Sequence, residues 1–372
     1  MVFMVLTQTE LLEVARKLSI SGEFLGYEEI HSGHINSTYR AFFDQNGEKV
    51  DFILQKINTY VFQNPVEMME NISNVTEFIR DKIRQNGGDE KRYVLQYQKT
   101  ADGKSYYIAE NGDFWRCCAF IPDCISFLTP DSVKVVEEAG KAFGGFQKHL
   151  IDYPVGDLNI VIPHFHNTVL RYSTFRTALE KNLAGRKEEV ATEIADYFAL
   201  EEVATEAYRM QKRGELPLRV THNDTKPSNV LFDKNTFNHL SVIDLDTVMP
   251  GLVAFDFGDA IRVAASTCDE DERDLRKVAL DMKKYEAFTR GFVGAIGSEL
   301  TEKEKKSLPL GAVAMTVECG MRFLTDYLDG DKYFKIHYPT QNLARARCHL
   351  ALAKDMLAKF DEMSEIVEKY CK

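Results

Sequence analysis

Eight residues, His222-Asn223-Asp224-Thr225-Lys226-Pro227-Ser228-Asn229, stand between two short apolar runs, Leu218–Thr221 and Val230–Phe232. No other stretch restricts the fold as much. The flanking runs suit strands, and the loop between them carries a carboxylate and a carboxamide five positions apart. Such a loop can aim both groups into one cleft. There Asp224 can take a proton from a hydroxyl, and the Asn229 amide oxygen can ligate a hard cation. Lys226 sets a positive charge beside them. A turn of ordinary Asp, Asn and Pro residues is the plain alternative.

Six aspartates fall between Asp224 and Asp259, the others being Asp233, Asp244, Asp246 and Asp256. The spacing His-x-Asp-x-Lys-x-x-Asn resembles the catalytic loop of the protein-kinase-like superfamily, in which the metal-binding aspartate ends the next strand-like segment. Asp244 follows the apolar run Leu240–Ile243, twenty residues beyond Asp224. Asp256 opens a literal Asp-Phe-Gly, but it lies thirty-two residues beyond Asp224 and past the Pro250-Gly251 turn. The placement selects Asp244 as metal ligand, with Asp246 on the same side of an extended chain as a second or outer ligand. Asp256 and Asp259 are expected to be structural, capping a helix that begins near Ala260 or bracing the catalytic loop.

The rest of the chain divides by pattern. A helix is expected over Glu10–Leu18. Tyr39–Phe43 and Val50–Ile57 read as strands joined at Asp44-Gln45-Asn46-Gly47, a strong hairpin signal. Asn64-Pro65 opens a helix to Gln85, and strand-like runs follow at Tyr93–Thr100, Ser105–Ala109 and Phe114–Ile121. Beyond about residue 130 the periodicity is helical over Ser132–His149, Tyr172–Lys181, Glu188–Arg213, Glu270–Phe292, Thr301–Tyr327 and Gln341–Tyr370. The expected class is α+β: a small mixed-sheet lobe over 1–121 and a larger, mainly helical lobe over 122–372.

A net charge of −11, from 57 acids and 46 bases, argues against a general nucleic-acid binder, which needs clustered cations. Seven cysteines without paired CxxC motifs fit reduced thiols, and no zinc site is expected. No segment approaches a membrane-spanning length, and the apolar start of the chain is too short for a signal peptide. The expected location is cytoplasmic.

Longer strings narrow the resemblance. His222 to Asn229, Val242-Ile243-Asp244-Leu245-Asp246 and Asp256-Phe257-Gly258-Asp259 together resemble the aminoglycoside phosphotransferase family, and within it the bacterial N-acetylhexosamine 1-kinases. Glu29–Tyr39 and Met321–Leu328 resemble that group as well, so the likeness touches both lobes of a protein-kinase-like two-lobe fold.

The resemblance implies ATP and Mg2+ as cofactors and a small sugar as substrate, with neither nucleic acid nor membrane as partner; no oligomeric state follows from it. Asp224 would be the general base and Lys226 would offset charge on the transferring phosphate. Asn229 and Asp244 would hold Mg2+. Lys56 would hold the α- and β-phosphates, with Glu70 or Glu77 as its acid partner. The backbone from Cys118 through Phe120 to Ile121 would bond adenine. In place of a protein-kinase glycine loop the chain has Ser32-Gly33-His34-Ile35-Asn36-Ser37, where Ser32, Asn36 and Ser37 can donate to phosphates. His34, Arg322 and Tyr333 would meet the sugar; a solvated charge ladder with Glu318 and Asp326 is the other reading of Arg322. His164 and His166 are expected to be structural.

Three functions follow: a sugar 1-kinase, a kinase of the same fold acting on an aminoglycoside or an amino alcohol, and a non-catalytic binding module.

Overall fold

The computed structural model describes residues 7–31 and 35–371. The chain forms two compact units. The first takes in the chain to Cys124 together with two returning segments, Gly156–Ile162 and Leu240–Val248; the second takes in Ile125–Val155, Pro163–His239 and the chain from Met249 onward.

The first unit starts with α1 (Gln8–Lys17), closed by a reciprocal cap in which Thr7 accepts from the Glu10 amide and Glu10 accepts from the Thr7 amide. Strands β1 (Glu23–Ile30), β2 (Ser37–Gln45), β3 (Glu48–Ile57), β4 (Tyr107–Ile108) and β5 (Phe114–Ala119) follow, with α2 (Pro65–Gln85) and the single turn α3 (Glu90–Tyr93) between β3 and β4. The sheet order is β1-β2-β3-β5-β4. Every pairing is antiparallel, where a mixed sheet was expected.

The β2–β3 hairpin turns at Asn46-Gly47, both at positive φ (62° and 86°), as a tight turn of the primed kind requires. One face of the sheet buries Tyr39, Ala41, Phe43, Phe52, Leu54, Trp115 and Cys117 against Leu11, Val14, Ala15 and Leu18 of α1. Each large apolar side chain buried there contributes roughly 1.5–3 kcal/mol. The two returning segments are tied in by Asn71 of α2. Its side chain donates to the carbonyls of Asn159 and Val248, both at 2.9 Å, and accepts the Asn159 amide at 2.9 Å.

The second unit is mainly helical. A two-residue strand, β6 (Cys124–Ile125), precedes α4 (Val133–His149), α5 (Thr168–Lys181), α6 (Ala191–Ala199) and α7 (Glu201–Lys212). Strands β7 (Arg219–Thr221), β8 (Val230–Asp233) and β10 (Met249–Gly251) interrupt the helices, and β7 pairs antiparallel with β10; β9 (His239–Val242) lies but for His239 in the returning segment Leu240–Val248 of the first unit. Then come α8 (Val253–Ala264), α9 (Met282–Ile296), α10 (Glu302–Asp329), α11 (Gln341–Ala358) and α12 (Phe360–Tyr370). Helix α10 is the axis of this unit and packs against α5, α7, α8, α11 and α12.

Several expected boundaries shift. The helix anticipated from Glu270 begins at Met282, where the Asp281 side chain caps the amides of Lys283 and Lys284. The Asp-Phe-Gly string lies inside α8, which starts seven residues before Ala260, so Asp256 and Asp259 cap nothing. Among the described residues no helix is long and apolar enough to cross a membrane.

Candidate active site

The loop from His222 to Asn229 leaves β7 and enters β8 through a short 3-10 turn, Pro227–Asn229. Its geometry is set from beneath by Asp256. That carboxylate accepts the His222 amide at 2.8 Å, the Asn223 amide at 2.7 Å and the Gln147 side-chain amide at 2.6 Å. The Thr225 hydroxyl donates to the Asp256 carbonyl. Burial pushes the Asp256 carboxyl up, and these donors oppose it. Asp256 thus braces the loop from His222 to Asn229, one of the two structural roles expected of it.

The other two residues of the string are equally structural. Phe257 packs against Tyr285, Phe288 and Phe292. Gly258 meets Gly311 of α10: a Cβ on Gly258 would stand 2.1 Å from the Gly311 carbonyl oxygen, and one on Gly311 would stand 1.9 Å from that of Ala254. Two glycines let α8 and α10 touch backbone to backbone. Asp259 bonds Arg262 at 2.7 Å on the same helix.

A second brace was not legible in the sequence. His166 places Nε2 3.0 Å from the Asn223 carbonyl and Nδ1 3.2 Å from Glu318 Oε1. Both partners are acceptors, which favours a proton on each ring nitrogen and hence the charged form of His166. Burial works against that charge, but Glu318 outweighs it and raises the pKa of His166. In return, His166 and Arg171 overcome burial to hold the Glu318 carboxyl at about 2. The Asn223–Asp224 peptide is therefore pinned at both ends, since the Asp224 amide donates to His222 Nδ1 at 3.2 Å. Asn223 sits at φ 63°, in the left-handed region that an Asn side chain tolerates.

On this platform Asp224 meets Lys226 and Asn229. Lys226 Nζ is 2.8 Å from Asp224 Oδ2, and Asn229 Nδ2 lies 3.1 Å from the same oxygen and 2.8 Å from the Asp224 carbonyl. Burial would push the carboxyl up; Lys226 foremost, then His222 and Arg262, hold it below the usual carboxylate range. Asn229 turns its NH2 to Asp224, which leaves Oδ1 as the end able to ligate a cation. One helical turn beyond Glu318 on α10, Arg322 lies over the rings of Tyr333 and Phe334, at 5.8 and 5.4 Å from their centroids. In the alternative reading, a charge ladder, Arg322 would pair with Glu318 and Asp326; its charge does help to lower the Glu318 carboxyl, but the hydrogen bonds of both acids go elsewhere. Glu318 belongs to His166, and Asp326 accepts the amides of Lys332, Tyr333 and Phe334 at 2.8–3.0 Å. Asp326 thereby shapes the loop on which Tyr333 stands 73% exposed.

In the first unit, Asp244 takes a left-handed backbone (φ 61°, ψ 54°) at the end of β9. Aspartate, like asparagine, tolerates this region. Asp246, two residues on, is buried. Its Oδ1 bonds Arg116 Nη1 at 2.5 Å and its Oδ2 accepts from Asn36 Nδ2 at 2.8 Å. Arg116 and Asp246 are a fully buried pair, with 2% and 4% of their side chains exposed. Each Asp246 oxygen thus accepts one protein donor, two residues along the chain from Asp244. Asn36, expected to donate to phosphate, gives its NH2 to Asp246 and accepts the Asn58 amide at 2.9 Å through Oδ1. Ser37 opens β2 opposite Lys56.

Lys56 departs from expectation. Its strand alternates, so it shares a face with Phe52 and Leu54, the face covered by α1. Nζ pairs with Asp113 at 2.6 Å. Glu77 pairs instead with Lys99 at 2.6 Å, and Glu70 accepts from Asn159 at 3.1 Å, so neither is the partner of Lys56. The cation on the opposite face, against Met69 of α2 at 3.9 Å, is Arg116. The expected hinge is partly occupied as well: the Ala119 amide bonds the Gln96 carbonyl at 2.9 Å and the Phe120 amide bonds that of Asp51 at 3.1 Å. Cys118 is buried opposite Tyr97, and burial lifts its thiol to about 11. The Ile121 carbonyl accepts from Cys124 Sγ at 3.0 Å. Ser32 and His34 lie outside the described residues.

Residues 109–291 match the family model described as the phosphotransferase enzyme family. Three solved structures share the fold. A microcompartment-associated aminopropanol kinase is 15% identical, with a TM-score of 0.64, over 95% of this chain and 98% of that one. The choline kinase of Cryptosporidium parvum Iowa II is 11% identical, with a TM-score of 0.59, over 98% and 99%. An aminoglycoside phosphotransferase from Alicyclobacillus acidocaldarius is 13% identical, with a TM-score of 0.52, over 98% and 97%.

Proposed function

The chain belongs to the phosphotransferase enzyme family, and from that premise we propose that it is an ATP- and Mg2+-dependent kinase of the anomeric hydroxyl of an N-acetylhexosamine. The observation that carries the reading is the ionised Asp224, held between Lys226 and Asn229 on a loop fixed by Asp256 and His166. A carboxylate kept deprotonated and oriented suits it to receive a proton from an incoming hydroxyl.

The roles divide as follows. Asp224 aligns the sugar hydroxyl and takes its proton as the sugar oxygen bonds the γ-phosphorus and the bond to the β-phosphate oxygen breaks; ADP leaves. Lys226 holds Asp224 ionised and offsets charge on the moving phosphoryl group. Asn229 in the second unit and Asp244 in the first each carry an oxygen of the kind Mg2+ takes, and Asp246 and Arg116 fix the segment that carries Asp244. When bound, the cation neutralises phosphate charge. Arg322 and Tyr333 present a guanidinium and an exposed ring suited to a sugar. Residues 1–121 would serve the nucleotide and 122–372 the acceptor, within the cytoplasm.

A second reading makes the acceptor an amino alcohol or an aminoglycoside. It draws on the aminopropanol kinase, choline kinase and aminoglycoside phosphotransferase that share the fold. One experiment separates the two: ADP release measured with N-acetylglucosamine, N-acetylgalactosamine, plain hexoses, aminopropanol, choline and kanamycin. Turnover with the two N-acetylhexosamines, lost when the anomeric oxygen carries a methyl group, supports the sugar 1-kinase. Turnover confined to the amines would overturn the sugar assignment and keep the kinase.

A further inference from the structure

Glu270, Cys319 and His349 come from three distant stretches: the irregular segment after α8, the middle of α10 and the middle of α11. A carboxylate oxygen, a sulfur and an imidazole nitrogen from these residues all lie within 4.8 Å of one another. Nε2 of His349 is 3.8 Å from Glu270 Oε1. The other ring nitrogen, Nδ1, is 2.9 Å from the Arg345 carbonyl. A carbonyl only accepts, so Nδ1 carries a proton there, and the neutral ring then presents the lone pair of Nε2 to the centre of the cluster.

The other oxygen of Glu270 faces a cation: Oε2 forms an ion pair with Arg345 Nε at 3.3 Å, without a hydrogen bond at that nitrogen, while Oε1 is the oxygen beside His349. Metal-binding imidazoles are characteristically fixed by an outer partner such as the Arg345 carbonyl is for His349. The sulfur is brought in by a close helix crossing. Next to Cys319, a Cβ on Gly320 would stand 2.2 Å from the Tyr197 hydroxyl and 2.5 Å from His349 Cβ, so only glycine lets α10 meet α11 here.

Arg262 is the competing charge, 3.7 Å from Glu270 Oε1, but Asp259 already holds it at 2.7 Å.

We propose that Glu270, Cys319 and His349 form a site for a divalent cation of the zinc class. One sulfur, one nitrogen and one oxygen ligand suit a tetrahedral ion with its fourth position open. The thiolate discriminates against Mg2+, which takes oxygen ligands, so this site is chemically distinct from an all-oxygen Mg2+ site. Spacing rules miss it because the ligands are 49 and 30 residues apart, with no paired-cysteine signature.

The test is a Co2+ titration of the full-length, reduced protein in excess Mg2+. The expected result is a thiolate-to-cobalt charge-transfer absorption that saturates at one equivalent. Oxygen-only coordination gives no such band. Cys319→Ser removes it, and His349→Gln weakens cobalt binding by about tenfold or more. Thermal melting without cobalt shows that each variant is folded, and a misfolded Cys319 variant leaves the decision to His349→Gln. A folded wild-type protein without the band overturns the site. So does a band that survives Cys319→Ser unchanged or cobalt affinity that His349→Gln leaves unaltered.

Discussion

Each unit holds a pair of aspartates in which one is fixed by the other's surroundings, and the two pairs are built differently. In the first, Asp246 is compensated by a buried cation, Arg116, with help from Asn36. In the second, Asp256 is compensated by neutral donors: two backbone amides of the loop it supports and the amide of Gln147. A guanidinium satisfies a buried charge strongly, but its loss leaves that charge stranded. Backbone amides cannot be mutated away, and they couple the carboxylate to the conformation of the loop itself. The first arrangement fixes a segment by charge; the second fixes it by shape.

The largest expected effect lies on the residue that the second arrangement presents. Asp224→Asn should lower kcat by about 10^2–10^4 with little change in melting temperature. Unchanged turnover would remove Asp224 from the role of base and revive a binding module.

Arg116→Met strands Asp246 and should cost about 3–5 kcal/mol of unfolding free energy, read from a urea midpoint. The double variant Arg116→Met, Asp246→Leu should recover much of the loss. A single variant as stable as the parent would show that the charge pairing is dispensable.

Asp256→Asn keeps the shape but presents an amide where three donors converge. A cost of about 1.5–3 kcal/mol is expected, along with a fall in kcat of up to about 100-fold as the loop shifts. If stability falls and kcat does not, shape coupling is the wrong description.

The His166–Glu318 pair gives a pH signature. Glu318 is depressed from 4.5 to about 2, so its contribution is present above pH 4.5 and fades as pH falls through about 2. His166 is raised above 6.5, so its contribution is complete below pH 6.5 and fades as pH rises through the folded value. Stability plotted against pH should show both limbs, and Glu318→Gln should flatten them. Limbs that persist in that variant would belong to other groups.

The smallest effect is expected at Lys56. On the α1 face, its replacement by Met should leave the KM for ATP within about twofold. A tenfold rise would return it to the phosphates.

What the sequence disclosed was local. The Asn46-Gly47 hairpin, the Asn64-Pro65 helix start and the Asp224 loop each depend on a few neighbouring residues. Strand β1 escaped notice because Glu23, Glu28 and Glu29 and an exposed edge erase the apolar alternation. The stretch after Glu270 looked helical, but side chains intercept its backbone: Thr267 takes the Ala279 amide and Asp355 takes that of Leu280. The pairings of Arg116, His166 and Glu318 were not visible for a different reason, although His166 was expected to be structural. Their partners lie 130, 57 and 152 residues away along the chain. Lys56 misled because a strand position fixes which face a side chain takes only once the register is known.

The glycine contact between α8 and α10 bears on regulation. An Asp-Phe-Gly in an irregular segment can exchange its side chains by rotating a few backbone bonds. Here the string is sealed in a helix whose ladder of amides is committed, wedged by Gly258 against another backbone and by Phe257 into an aromatic nest. Rotation would require unwinding α8 and parting it from α10. The support under the loop has a single setting, so any control over turnover has to act through access to the acceptor or the nucleotide rather than through the floor of the site.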